Sequence, residues 1–186
     1  DQMFVQPIHG KGVRVIWLKG ETDMLGALEE VESFGEFAKR NNAVASTEVK
    51  SFEHLICTEQ LSRRLGFKVG EKLIRVVRVR SLNGNARQVD HGYFLESIAK
   101  GLTPEIAARS IYDYLEHKRG VKVMASRRTV SVELANDEDC SYLDLGKYNC
   151  VAVMESQSYT SDGILFEVTH ARTHPEIFHY RVNSKR

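Results

Sequence analysis

The chain has 186 residues, 42 % hydrophobic and 27 % charged, a length and balance that suit one packed domain, or one and a half, and exclude intrinsic disorder as the resting state. Its 26 Lys and Arg against 25 Asp and Glu leave a formal net charge of +1, too little for phosphate neutralisation alone to hold nucleic acid, so any contact with DNA belongs to another module. The first thirty residues hold no basic stretch followed by an apolar one, and no run approaches the roughly 18 apolar residues that span a bilayer, so neither secretion nor membrane insertion is expected.

From the N-terminus, Asp1 to Trp17 alternates apolar residues around Gly10-Lys11-Gly12 and reads as the last hairpin of something begun upstream. Ser33 to Arg40 reads as a short helix, with Ser33 and Glu36 in capping-box spacing. Thr47 to Ile56 is a predicted strand, and Thr58 to Leu65 a helix between a Thr cap and Gly66. Lys72 to Leu82 alternates and is rich in β-branched residues, Asn83-Gly84 supplies a tight turn, and Ala86 to Leu95 returns. Thr103-Pro104-Glu105 opens a helical stretch, and a second helix runs from Ser110 to Arg119, ending at Gly120. Val121 to Leu134 is a strand, Asn136 to Leu143 a capped acidic helix, Tyr148 to Thr160 and Ile164 to His174 a hairpin around Ser161-Asp162-Gly163, and Ile177 to Val182 a closing strand. About six strands joined by hairpins or single short helices predict an α+β fold with a mainly antiparallel sheet.

Arg78 and Arg80, two apart on a strand, project from one face with Cα atoms roughly 6 to 7 Å apart, while Val77 and Val79 take the other, core-facing side. Two guanidiniums at that spacing are able to converge on one phosphate or carboxylate; the pattern alone equally suits two arginines in solvent on a half-exposed sheet. Ser33 and Ser110 each precede a helix, where free N–H groups favour an anion, or where the hydroxyl only caps. Asp90, His91 and Glu167 lie on hairpin strands, as acceptors for ligand hydroxyls or as solvated charges. Cys57, Cys140 and Cys150 have neither CxxC nor CxxH spacing, which argues against a disulfide framework or a zinc site and suits a reducing cytoplasm. His170 and His174 share a strand face about 13 Å apart, too far for one ion. There is no phosphate loop, HExxH or GxSxG motif, and no cofactor is expected.

In this order, Ser33-Phe-Gly-Glu-Phe37, Val76-Val-Arg-Val-Arg80, Val89-Asp-His-Gly-Tyr-Phe94, Ser110-Ile-Tyr-Asp-Tyr-Leu115 and the stretch from Ile164 to Val182 resemble the UTRA domain, the effector-binding half of HutC-type regulators in the GntR family. Within it the chain is most similar to trehalose-operon repressors. The segment Gln6 to Val15 resembles the end of the wing of that family's winged helix-turn-helix. The resemblance implies residues 1–20 as a wing remnant and linker, and residues 21–186 as an effector-binding domain with a chorismate-lyase-like fold. It further implies a phosphate subsite of Ser33, Arg78, Arg80 and Ser110, and a sugar side of Asp90, Tyr93, Glu167 and Arg172. His91-Gly92, Val168 and Pro175-Glu176 depart from the family's commoner residues, all on the sugar side.

The resemblance thus predicts a cytoplasmic sensor of a small anionic effector such as a sugar phosphate, homodimeric, not an enzyme, meeting DNA only through a domain ahead of Asp1. The alternative is a chorismate-lyase-like enzyme on an anionic substrate, for which Asp90 and His91 are the nearest general-acid candidates.

Overall fold

The structure is a computed structural model and describes residues 5–10, 12–15, 25–26 and 31–180. The outer parts of the expected first hairpin, and residues 181 and 182 of the expected closing strand, lie outside that set. Val5–Ile8 (β1) and Gly12–Val15 (β2) form the expected antiparallel hairpin. Leu25–Gly26 (β3) pairs in parallel with His179–Tyr180 (β10).

The remaining strands form one antiparallel sheet: Ala45–Ile56 (β4), Lys72–Leu82 (β5), Asn85–Leu95 (β6), Val123–Leu134 (β7), Cys150–Thr160 (β8) and Leu165–Thr173 (β9), in the order β4-β5-β6-β9-β8-β7. The fold is α+β and chorismate-lyase-like, as expected, with six strands and short helices. The tight turn between β5 and β6 is set by Asn83 and Gly84, which both take positive φ, 51° and 83°, as the two central residues of a type I′ turn must. Strand β4 begins two residues before the expected Thr47 because Val44 is tied to the Asn83 side chain at 2.9 Å.

Helices Phe34–Arg40 (α1), Glu59–Leu65 (α2), Pro104–Ala107 (α3), Ile111–Asp113 (α4) and Asp137–Tyr142 (α5) start at side-chain caps: Ser33, Thr58, Thr103, Ser110 and Asn136 each accept the N–H three residues on. The single helix expected over Ser110 to Arg119 widens after α4 into a π-turn at Tyr114–Lys118, where the Arg119 N–H reaches the Tyr114 carbonyl. The Val121 N–H then bonds to the Leu115 carbonyl at 3.0 Å, which holds Val121 off the sheet and delays β7 to Val123. The closing strand is shorter than expected: Pro175–Ile177 coil into a 3₁₀ turn, since proline has no N–H for a ladder, and pairing resumes only at β10.

Both faces of the sheet carry core. A larger cluster includes Ile74, Val76, Phe94, Leu115 and Phe166, and a smaller one sets Val77 and Val89 against Leu143, Val151 and Val153. The double covering explains why β5 reads as a nearly unbroken apolar run, buried on both sides. It also puts the two charges in that run, Arg78 and Arg80, inside the molecule.

Candidate functional site

Side chains alternate along a strand, so the register decides which of them share a face. Arg78 is opposite Asp90, Asp90 opposite Ala171, Ala171 opposite Met154 and Met154 opposite Val130. The neighbouring row joins Gly92, Thr169, Ser156 and Arg128, and the next joins Phe94, Glu167, Ser158 and Ser126. Much of this face forms the floor of a cleft of about 190 Å³, walled by Ser33, Phe34 and Phe37 of α1, by Arg109 to Tyr112, and by Ile177, Phe178 and Tyr180.

At the β5–β6 end the two arginines converge. Arg78 donates to Asp90 Oδ2 from Nε at 3.0 Å and from Nη2 at 2.5 Å, and Arg80 donates to the same oxygen at 3.2 and 2.7 Å. The Arg78 and Asp90 side chains are only 3 % and 2 % exposed, which excludes the solvent-exposed alternative for this strand face. Arg80 also lies over the Phe34 ring, 5.2 Å from its centre. Burial on its own would raise the Asp90 pKa, but Arg78 and Arg80 outweigh it and hold the carboxyl at about 2. Arg78 shifts downward, through burial first and the like charge of Arg80 second. Two guanidiniums share one ionised carboxylate, so the three-residue cluster is net positive inside the cleft, with Glu167 the next carboxyl whose charge acts on Arg78.

Glu167 lies further along the floor. The Tyr112 hydroxyl donates to its Oε2 at 2.5 Å and is 3.1 Å from Ser158 Oγ. Burial pushes the Glu167 carboxyl up against the lowering effect of the Tyr112 hydrogen bond, and burial with the nearby carboxylate pushes the Tyr112 hydroxyl well up. Ser33 and Ser110 cap α1 and α4, accepting from Glu36 and Asp113 N–H groups at 3.3 and 3.2 Å. Both also line the cleft, so capping and cleft lining coincide in them.

Of the eight expected site residues, the structure brings together Ser33, Arg78, Arg80, Asp90, Ser110 and Glu167. Tyr93 and Arg172 do not join them. Each is an odd number of residues from a cleft-facing neighbour, Asp90 for Tyr93 and Ala171 for Arg172, so the pleat carries both to the other side of the sheet. There they line a second cleft with His91, His170, Arg75 and Arg127. Tyr93 accepts a hydrogen bond from Arg64 at 2.7 Å. Arg172 is bound to Asp139 at 2.8 to 3.0 Å and also to Glu133. The general-acid candidates separate likewise: Asp90 is an ionised acceptor, and His91 faces Glu138 at 2.9 Å on the far side. His174, buried, contacts the Asp144 carbonyl, while His170 faces Glu155.

Sequence reading missed Tyr112, Ser126, Ser156 and Thr169. The Ser126 hydroxyl oxygen is buried with no hydrogen-bond partner among the described residues. Only cross-strand register assembles these hydroxyls, since the residues come from three strands and a helix.

The profile of the UTRA domain family matches residues 40–179. The HTH-type transcriptional regulator TreR of Bacillus subtilis strain 168 is 27 % identical over 177 residues, 95 % of this chain and 73 % of TreR. The solved TreR effector-binding domain superimposes with a TM-score of 0.67 over 76 % of this chain and 98 % of its own, also at 27 % identity. The transcriptional regulator YydK of the same organism, at 22 % identity, gives a TM-score of 0.77 over 98 % of this chain and 76 % of its own. No helix among the described residues is long and apolar enough to cross a membrane.

Proposed function

Since the chain belongs to the UTRA domain family, we propose that it is the effector-sensing part of a bacterial, HutC-type transcriptional repressor, and that its effector is a phosphorylated sugar or a similar small anionic metabolite. The observation that carries the proposal is the Arg78–Asp90–Arg80 cluster: two guanidiniums bound to one carboxylate oxygen at the floor of a cleft. A phosphate reaching them meets charge-assisted donors already oriented and partly shielded from water. Ser33 and Ser110 stand beside it, and Asp90 and Glu167 supply acceptors for hydroxyls on the remainder of the ligand.

In this proposal residues 1–20 end the wing of a DNA-binding domain and lead into the sensor, the protein acts in the cytoplasm as a homodimer, and the sensor needs no cofactor. Control of DNA binding requires the effector to favour one arrangement of the dimer over another, by the roughly 1 to 3 kcal/mol usual for allosteric coupling. Calorimetric titration with glucose 6-phosphate, glucose and inorganic phosphate, on the native chain and on Arg78→Gln and Arg80→Gln, tests the anion subsite. Heat from glucose 6-phosphate that disappears in both variants supports it. Equal heats in all three proteins, or no heat from any phosphate, sinks it.

One observation favours the enzymatic alternative: Glu167 is a carboxyl in the same cleft whose pKa is pushed up by burial, as a general acid requires. Its contacts to Tyr112, with Ser158 alongside, argue instead for a fixed binding group. Turnover of chorismate to 4-hydroxybenzoate by the native chain, absent in Glu167→Gln, would reverse that choice.

A further inference from the structure

The second cleft, on the face of the sheet opposite the arginine cluster, has a volume of about 530 Å³. Two rows of side chains make its floor. One joins Arg75, Tyr93, Val168, Gln157 and Arg127 across β5, β6, β9, β8 and β7, and the next joins Val77, His91, His170, Glu155 and Thr129. Helices close its two ends. At one, Arg64 of α2 donates to the Tyr93 hydroxyl at 2.7 Å, and Gln157 donates to the Leu65 carbonyl at 3.3 Å. At the other, Glu138 of α5 meets His91 at 2.9 Å and Asp139 holds Arg172 at 2.8 Å. The row held by α5 contains Val89 and Val153, packed in the smaller core, whereas the two open rows are mostly polar and need partners from solvent or a ligand.

Most charges in this cleft are balanced within the protein. Arg75 pairs with Glu53 at 3.3 Å, Arg172 with Asp139 and Glu133, and Glu138 with His91. Two guanidiniums are not balanced. Arg64 donates to the Tyr93 hydroxyl and lies over its ring, 5.4 Å from the centre, and neither it nor Arg127 has a carboxylate partner among the described residues. They stand on opposite sides of the cleft, because Tyr93, beneath Arg64, and Arg127 are three strands apart in one row, with Cα atoms roughly 14 Å apart at about 4.8 Å per strand. On the strands between them, His170 and Glu155 approach only to 3.7 Å, beyond hydrogen-bonding distance, so both keep their polar atoms open to the cleft.

We propose that this cleft is a second ligand site, and that it takes a small organic dianion with an acidic group at each end, a dicarboxylate or a bisphosphate. The two ends meet Arg64 and Arg127, and the middle presents hydroxyl or N–H groups to Glu155 and His170. Each guanidinium donates in a fork that matches the edge of a carboxylate or phosphate. A ligand with one acidic group leaves one guanidinium unbalanced, and Glu155 repels a third acidic group placed at the middle. The site does not depend on the Arg78–Asp90–Arg80 cluster, from which the pleat separates its side chains. The two clefts nevertheless lie back to back, with Ser156 and Thr169 lining both.

The test is calorimetric titration of the full 186-residue chain at neutral pH with succinate, adipate and fructose 1,6-bisphosphate, with acetate and methyl phosphate as one-ended controls. At least one dianion is expected to bind one-to-one and roughly tenfold more tightly than either control; whether a dicarboxylate or the bisphosphate binds tighter identifies the acidic group. Arg64→Gln and Arg127→Gln, both at exposed positions, are each expected to weaken that dianion by roughly tenfold or more, the loss of a charged hydrogen-bonding partner, with unchanged melting temperatures. Arg80→Gln, which removes a guanidinium from the first cleft, locates the heat and is expected to retain it. No heat from any dianion, controls that bind as tightly, binding untouched in either Arg64→Gln or Arg127→Gln, or loss in Arg80→Gln overturns the proposal. Glucose 6-phosphate titrated into the same variants keeps the two readings apart: its heat depends on Arg80, the heat of the dianion on Arg64 and Arg127, and either reading fails without the other.

Discussion

Arg78 and Asp90 face each other directly across β5 and β6, and Arg78 Nη2 lies 2.5 Å from Asp90 Oδ2 with both side chains almost wholly buried. Arg80 leans on the same oxygen. Such a cluster stabilises little in net terms when intact, because desolvation of the charges offsets their attraction, but breaking it leaves uncompensated buried charge. Asp90→Ala is therefore expected to lower the unfolding free energy by about 3 kcal/mol or more, measured by urea denaturation at neutral pH. A loss below about 1 kcal/mol would mean that water reaches the guanidiniums freely.

The Asp90 carboxyl has a folded pKa of about 2 against an ordinary 3.8. Below its unfolded pKa the unfolded chain binds the proton more readily than the folded one, so stability falls as the solution is acidified through that interval. The contribution is fully present above about pH 4, and declines toward pH 2. Its size follows from the shift, on the order of 2 kcal/mol. Stability curves of the native chain and Asp90→Asn between pH 2 and pH 6 are expected to differ in this window, with the native chain steeper. Parallel curves would refute the assignment.

Glu167 works in the opposite sense. Its folded pKa is raised by burial, so the folded chain holds the proton longer, and this group costs stability as pH rises above its unfolded value. Glu167→Gln keeps an acceptor near Tyr112 and removes the cost. The variant is expected to be as stable as the native chain at pH 4 and more stable at pH 7, by thermal melts at both pH values. The same variant is expected to weaken effector binding if the carboxylate accepts ligand hydroxyls.

The fold was largely legible in the sequence because its signals are local. Asn83-Gly84 marks a type I′ turn, and the residues before each helix are caps whose hydrogen bonds form as their spacing requires. The site was legible only in part. Arg78 and Arg80 could be placed on one face by counting two along a strand, but nothing in one sequence fixes which residues of distant strands lie opposite them. That is why Tyr93 and Arg172, adjacent in motif to true cleft residues, fall on the other face, and why Ser126 and Ser156 escaped notice. A hydroxyl on a strand becomes a candidate ligand only once its row is known.

The separation of the two faces makes its own prediction. Arg172 is bound to Asp139, which is fully buried and also receives the Asn136 N–H in the capping box of α5. Arg172→Ala strands that carboxylate and is expected to destabilise the chain by about 3 to 5 kcal/mol, detected by urea unfolding. Tyr93→Phe removes only an acceptor for Arg64 at a part-buried contact and is expected to cost about 1 kcal/mol. Neither is expected to change effector affinity when titrated at a temperature where both are folded. A tenfold loss of affinity in Tyr93→Phe would return that residue to the ligand.

Gly92 lies on the same face of the sheet as the arginine cluster, two residues after Asp90 and opposite Thr169. Its backbone is not in the left-handed region, so an alanine there is not strained by torsion. The obstacle is space: a Cβ built on Gly92 lies 2.7 Å from Cε2 and 3.1 Å from Cζ of Phe94. Phe94 is fully buried in the larger core, so its ring cannot swing out, and the strand itself must move. Overpacking of this kind costs roughly 1 to 3 kcal/mol, and Gly92→Ala is expected to fall in that range by urea unfolding. Phe94→Leu removes the ring and opens a cavity of its own. If the clash is the cause, the double variant is less destabilised than the sum of the two single ones, because residues in contact couple. Strict additivity would show that Gly92 is retained for a reason other than the ring of Phe94.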